Sequence, residues 1–511
     1  MARLPHSSLA LRPRTLLLTL AALPAIPAMA DPGELKWQAP ITGLGFACPS
    51  VASDGTIMYA THTNGGVLYA IDPVDGTILR QTQLPGAVEH AVALGDNDEV
   101  FFNTIRSAIA SGDPPQAVAG CWDFDTFTEI WQSPLDGGAD TSPILGNDRV
   151  YLGIVVNPQN PNNITNCVDH DICGRYYSFD MNTGDRIIDM WVEGWAACPG
   201  VIDEEGRVFF GVEDITGGEV EGDNIWPGRF YAIDGVDPAS GTEPTQPWPA
   251  FDAEGDFGAP VGYANGVVYS ACRDEHLYGF DAATGALVFD RHINAPSWTG
   301  TTIGRNPDNG RLVLYCGTQR NSGDPDSGQL FAVELDGTID GELAWSNTVP
   351  GGMSFGNPAL DDLGNVYAVN GIGHLMAFDR FGSQLWTYAL PGWDDPDGGS
   401  AGGVGGPTIL DDGTVLVGSN GGYLLAIEGS GNHLADDVPW PKYKHDIRST
   451  ANPQTPIRHT ISGDIDGDGR VDTNDLLALL AAWGTDEPSA DLNGDGVVGV
   501  DDLMTLLNNW S

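Results

Sequence analysis

Two stretches near the C-terminus hold the residues best suited to chemistry. The first, "GDIDGDGRVDTNDLLALLAAWG", sets Asp464, Asp466, Asp468, Arg470, Asp472 and Asp475 at loop positions 1, 3, 5, 7, 9 and 12. The second, "ADLNGDGVVGVDDLMTLLNNWS", sets Asp491, Asn493, Asp495, Val497 and Asp502 at positions 1, 3, 5, 7 and 12, with Gly499 at position 9. The copies are offset by 27 residues, an internal duplication. Calcium is a hard cation that takes about six to eight oxygen ligands, and side chains at positions 1, 3 and 5 converge on it when the chain wraps round. Gly469 and Gly496 permit the sharp turn, and Arg470 and Val497 offer backbone carbonyls. Asp475 and Asp502 close the sphere from the first turn of a helix, where an EF-hand has Glu. The expected chemistry is the binding of two calcium ions.

An EF-hand also has a helix before each loop. Here Pro456 and Pro488 leave no room for one. Only exiting helices are expected, with apolar stripes at Leu476, Leu477, Leu480 and Trp483, and at Leu503, Met504, Leu507 and Trp510. These stripes are expected to bury each other, with calcium supplying folding energy that so small a core lacks. Duplicated loop–helix units of this kind closely resemble a type I dockerin, spanning 463–511. The resemblance implies attachment to a cohesin-like module or cell-surface assembly, often one that degrades polysaccharide. In that family a hydroxyl pair at positions 10 and 11 reads the cohesin. This chain has Thr473-Asn474 and Val500-Asp501 there, and its helices lack the usual basic residues. The fold carries over; the choice of partner does not.

The elements that precede this tail make up most of the 511 residues. The chain opens with Arg3, Arg12 and Arg14, an apolar run from Leu16 to about Ile26, and Ala28-Met29-Ala30. That pattern predicts a signal peptide over 1–30 and a secreted or cell-surface protein. The run is too short and too rich in proline to span a bilayer, and no other stretch approaches spanning length. The net charge is −48. A surface so acidic repels nucleic acid and anionic lipid, so neither is an expected partner. Seven cysteines are present, so at least one stays free or pairs outside the chain. Cys167 and Cys173 flank the loop "CVDHDIC" and are the expected disulfide.

From about Ala47 to Glu428 one pattern recurs eight times, about 50 residues apart: "LYAID" ending at Asp72, "CWDFD" at Asp125, "YYSFD" at Asp180, "FYAID" at Asp234, "LYGFD" at Asp281, "LFAVE" at Glu334, "LMAFD" at Asp379 and "LLAIE" at Glu428. Each copy alternates with period two, and "TG" or "DGT" follows it to make a turn. Such a period, with about four short strands per unit, predicts an all-β, eight-bladed β-propeller over 31–450, with a short linker over 451–462. Several blades end on an outer-strand aromatic: Trp131, Phe289, Trp345 and Trp386. No good strand follows the eighth copy. The orphan "ELKWQAP", with Trp37, is therefore expected to close the ring as the outer strand of blade eight.

These repeats resemble the pyrroloquinoline-quinone-like propeller repeat, and "PWPKYKHDIRST" (439–450) looks like a segment common beside it. The family includes quinoprotein dehydrogenases, which hold the quinone against adjacent cysteines. No two cysteines are adjacent here, so no quinone is expected and a dehydrogenase is disfavoured. No G-x-S-x-G elbow appears. His276 and His374 occupy equivalent places and read as packed or turn residues. The connections between second and third strands are long in blades two, three, four and six, which marks that face for a polysaccharide or protein ligand. The expectation is a non-catalytic binding or scaffold protein. A carbohydrate-active subunit is the alternative.

Overall fold

The computed structural model describes residues 31–510 apart from 46, 63–64, 106–116, 140, 157–172, 214–226, 236–243, 320–327, 354–355, 393–404, 460–462, 466–470, 486, 488, 494–495 and 509. The leader, Cys167 and the interiors of the long loops in blades two, three, four and six lie outside these residues. The rest up to Glu428 is strand and turn. Eight four-stranded antiparallel sheets form, each built from strands adjacent in sequence except the last. In blade one these are Ser50–Val51, Ile57–Ala60, Val67–Ile71 and Ile78–Gln83. The "LYAID" copy is the third strand of its blade.

Burial follows position in the blade. Second and third strands are sandwiched between neighbouring blades and are buried almost throughout, as in Ile57–Ala60. The outer strand Ile78–Gln83 faces a neighbour on one side only and alternates half-buried with exposed residues. The acid ending the third strand turns the chain. Asp180 accepts from the amides of Asn182 and Thr183 at 2.9 Å each, and Gly184 completes the turn at φ +71°.

That turn is also where blades lock. Trp131, on the outer strand of blade two, donates its indole N–H to Met181 O of blade three at 2.7 Å. A β-carbon on Gly184 would lie 2.5 Å from its ring. The same lock joins Trp248 to Ala282 O (3.1 Å) and Trp345 to Arg380 O (3.1 Å). Between blades one and two, Arg80 over the rings of Phe124 and Phe127 takes its place, at 5.0 and 5.2 Å.

The N-terminal strand closes the ring as expected. Leu35–Pro40 pairs antiparallel with Tyr423–Ile427, with Trp37 opposite Ala426 and Pro40 opposite Tyr423. Trp37 then donates to Pro73 O of blade one at 2.9 Å, so the last interface is locked in the same way as those at Trp131, Trp248 and Trp345. Removing Glu34–Pro40 should expose the edge of Tyr423–Ile427 and lower the melting temperature or cause aggregation. A monomeric variant with an unchanged melting temperature would contradict this closure.

A second device ties the ring together. Residues 433–459 run across the inner strands at the end where each first strand turns into its second. Ile303 and Trp440 exchange backbone hydrogen bonds (2.8 and 3.1 Å). The amides of Leu360, Val51, Leu94, Leu145 and Ile202 donate to the carbonyls of Pro441, Ile447, Arg448, Thr450 and Ala451. Six blades are thus bonded to one segment. Lys442, Lys444, His445, Asp446, Ser449 and Thr450 of this segment are buried. Lys442 Nζ donates to Tyr443 O (2.9 Å), Asp446 O (3.1 Å) and Ser449 Oγ (3.2 Å). Lys444 Nζ donates to Pro143 O at 2.5 Å, and burial pushes its ammonium well below the usual lysine range. Lys444, His445, Ser449 and Ala451 all take positive φ, which bends the segment round the axis. The stretch expected as a linker begins docked on the ring. Arg458 pairs with Asp411 (2.7 Å) and Asp436 (3.0 Å), and His459 Nε2 lies 2.7 Å from Val51 O.

Candidate functional site

The tail contributes the two helices among the described residues, α1 (Thr473–Ala481) and α2 (Val500–Asn508). Asp472 caps α1: its carboxylate accepts from Asn474 N, while Asp475 accepts from Asp472 N at 2.7 Å. Asp475 also accepts from Ile465 N, near the start of the loop, at 2.6 Å. The second copy repeats this arrangement. Asp502 accepts from Gly499 N (2.6 Å) and Asn493 N (3.1 Å), and Asp491 accepts from Gly496 N (2.8 Å). The Gly499 amide holds the Asp502 carboxyl below the usual carboxylate range. Each loop therefore folds back on its own position-12 carboxylate, and both carboxylates are fully buried.

This arrangement suits a calcium loop, because it draws position 2 or 3 and position 9 towards the residue that would close the coordination sphere. Asp464, Asp472, Asp475, Asp491, Asn493, Val497 and Asp502 lie among the described residues. Asp466, Asp468, Arg470 and Asp495 lie outside them.

The helices pack differently from expectation. Val471, Leu479, Ala490, Val498 and Leu506 form the small core, with Leu476, Leu492 and Leu503 partly buried against it. Leu477, Leu480 and Trp483 stay 60%, 49% and 42% exposed, and Met504, Leu507 and Trp510 stay 53%, 47% and 43% exposed. Apolar residues cover two adjacent faces of each helix, and helices this short bury only the face at 476/479 and at 503/506. The other face is left in solvent on both, at positions related by the duplication.

On the ring, the long-loop face expected to bind a ligand falls mainly outside the described residues. His276 sits on blade five with Nδ1 2.6 Å from Asp290 Oδ1, and the His374 amide donates to Asn370 Oδ1 at 2.7 Å. A cavity of about 420 Å³ opens at the opposite end, between blades six and seven, lined by Tyr315, Trp345, Leu363, Phe381 and Val438 among others. Sequence reasoning gave no sign of it, because its walls come from turns far apart in the chain. Cys48, Cys121, Cys198, Cys272 and Cys316 are buried, unpaired and in separate blades. They do not fit the adjacent-cysteine platform of a quinone site. Side-chain placement at Cys173, and with it the expected pair with Cys167, lies outside the described residues.

The family model PQQ_2, described as outer membrane protein assembly factor BamB, matches residues 232–433. These are PQQ-like repeats. Among solved structures, BamB from Moraxella catarrhalis is similar at 14% identity with TM-score 0.50, covering 78% of this chain and 99% of that one. A europium-containing methanol dehydrogenase is similar at 15% identity with TM-score 0.54, covering 75% and 84%. A quinohemoprotein alcohol dehydrogenase from Comamonas testosteroni is similar at 15% identity with TM-score 0.52, covering 78% and 77%. No curated protein matches the chain in sequence. At these identities the structural likeness establishes the propeller alone. Among the described residues, no helix is long and apolar enough to cross a membrane.

Proposed function

We propose that this is an exported, non-catalytic binding or scaffold propeller, attached through a calcium-dependent, dockerin-like tail to a cohesin-like partner at the cell surface or on an extracellular assembly. The observation that carries the reading is the duplicated exposed apolar surface, Leu477 and Leu480 on α1 with Trp483 just past its end, and Met504 and Leu507 on α2 with Trp510 just past its end. A tail whose only task was to fold would have little reason to hold two tryptophans and four aliphatic side chains in water. The match to a family described by an outer-membrane assembly factor supports a scaffold role for the ring.

Calcium would be held by Asp464, Asp466, Asp468, the Arg470 carbonyl, Asp472 and Asp475 in one loop. In the other it would be held by Asp491, Asn493, Asp495, the Val497 carbonyl and Asp502. A calcium ion there would neutralise the loop carboxylates, and the chain's own amides hold Asp475 and Asp502 in place. No quinone chemistry is part of this reading.

A panel of cohesin modules, immobilised and challenged with the full chain, tests the proposal. Binding in calcium to at least one module is expected. It should disappear in chelator and in a Leu480→Asp/Leu507→Asp variant that still binds calcium. Retention by no module, or equal retention in chelator, would overturn it.

A further inference from the structure

Blade five carries a feature that neither the ring nor the tail uses. His276 opens its third strand, His276–Asp281, and His292 ends its fourth, Leu287–His292. The two histidines are directly opposite in the register. The neighbouring pair is joined by Ile293 N donating to Glu275 O at 2.7 Å, so His276 and His292 form the intervening non-hydrogen-bonded pair. Opposite side chains come closest in pairs of that kind and share one face of the sheet. Their ring centroids are 5.2 Å apart, with planes at 73°.

The surrounding groups orient both rings. Asp290, two residues before His292 on the same face, sets Oδ1 2.6 Å from His276 Nδ1. His276 also stacks on Tyr278, whose hydroxyl donates to Asp274 at 2.8 Å. A carboxylate on one imidazole nitrogen fixes the ring and its tautomer and makes the other nitrogen, Nε2, the basic one. Glu275 places Oε2 3.2 Å from His292 Nε2. Both imidazoles remain accessible, with His292 about half exposed.

We propose that His276 and His292 chelate one borderline divalent cation of the Zn²⁺, Ni²⁺ or Cu²⁺ class, with Asp290 orienting His276. Among the described residues no three His, Cys, Asp or Glu side chains already surround one point. The site is therefore a two-imidazole chelate, completed by water or by rotation of Glu275. Imidazole donors favour these metals over calcium, so the site differs in kind from the oxygen-rich loops of the tail. It lies at the end of the ring where second and third strands connect, and its open positions leave room for a ligand atom from a molecule bound on that face.

The test is Ni²⁺ calorimetry on the full chain, free of any histidine tag and saturated with calcium. Wild type, His276→Ala, His292→Ala and the double variant are compared. The expected result is one Ni²⁺ bound per wild-type chain, with affinity falling at least about tenfold in each single variant. Cu²⁺ loaded in place of Ni²⁺ should show two imidazole nitrogens in its electron paramagnetic resonance spectrum, and one in each single variant. Both histidines are on the surface, so the variants should melt like wild type. No Ni²⁺ binding by wild type, or undiminished binding by the double variant, would overturn the proposal.

Discussion

Trp440→Ala should destabilise the ring by about 3–5 kcal/mol, the cost typical of emptying a buried tryptophan site. Trp440 is fully buried among the largest side chains of the core. It packs in the cluster that holds Ile303, Leu314 and Val333, and its ring centroid lies 4.9 Å from that of His445. Its backbone exchanges hydrogen bonds with Ile303, within the segment that bonds five more blades. Truncating the side chain leaves a cavity where that segment crosses blade six. Trp440→Phe separates packing from hydrogen bonding. The indole N–H has no acceptor among the described residues, so phenylalanine loses some volume but no bond and should cost much less. Denaturant midpoints of the two variants measure the difference. A Trp440→Ala midpoint equal to wild type would show that the segment is not part of the ring's stability.

The second large effect is confined to the tail. Chelator should abolish the helical signal of α1 and α2 while the β signal of the propeller persists. The tail core comprises Val471, Leu479, Ala490, Val498 and Leu506 with a few half-buried partners, too little to fold alone. Without the ion, loop one places Asp464, Asp466, Asp468, Asp472 and Asp475 in one short stretch, and their mutual repulsion opposes the fold. The propeller has large hydrophobic clusters of its own, separate from the tail's, and should not respond. Far-ultraviolet circular dichroism with and without chelator reads both signals. Helices that persist in excess chelator would contradict this account.

Much of the ring was legible because its locks are local. An acid after the third strand, a turn glycine and an outer aromatic recur in most blades, and the orphan strand with Trp37 supplied the fourth strand that the last blade lacked; in blade two the turn acid is Asp123 rather than Asp125, and Phe127 takes the glycine's place at φ +53°. Trp248 escaped notice because prolines flank it ahead of the short outer strand Phe251–Ala253, so it reads as loop. The segment over 433–459 could not be read. Lys442, Lys444 and His445 look like solvated residues, and their burial depends on carbonyls and inner strands supplied by distant parts of the chain. In the tail the apolar positions were evident, but their division between faces was not. Leu476 and Leu477 are neighbours in sequence, and only the packing of α1 on α2 decides that the first turns inward and the second outward.

Calcium calorimetry on the full chain tests the central claim most directly. Loop one offers five carboxylates and loop two three, with Asn493 neutral and Gly499 lacking a ligand side chain. Two binding events of unequal affinity are therefore expected, with Asp475→Ala removing the tighter and Asp502→Ala the weaker. A single event, no binding, or loss of the tighter event in Asp502→Ala would contradict the reading of this tail as a duplicated calcium-dependent attachment device.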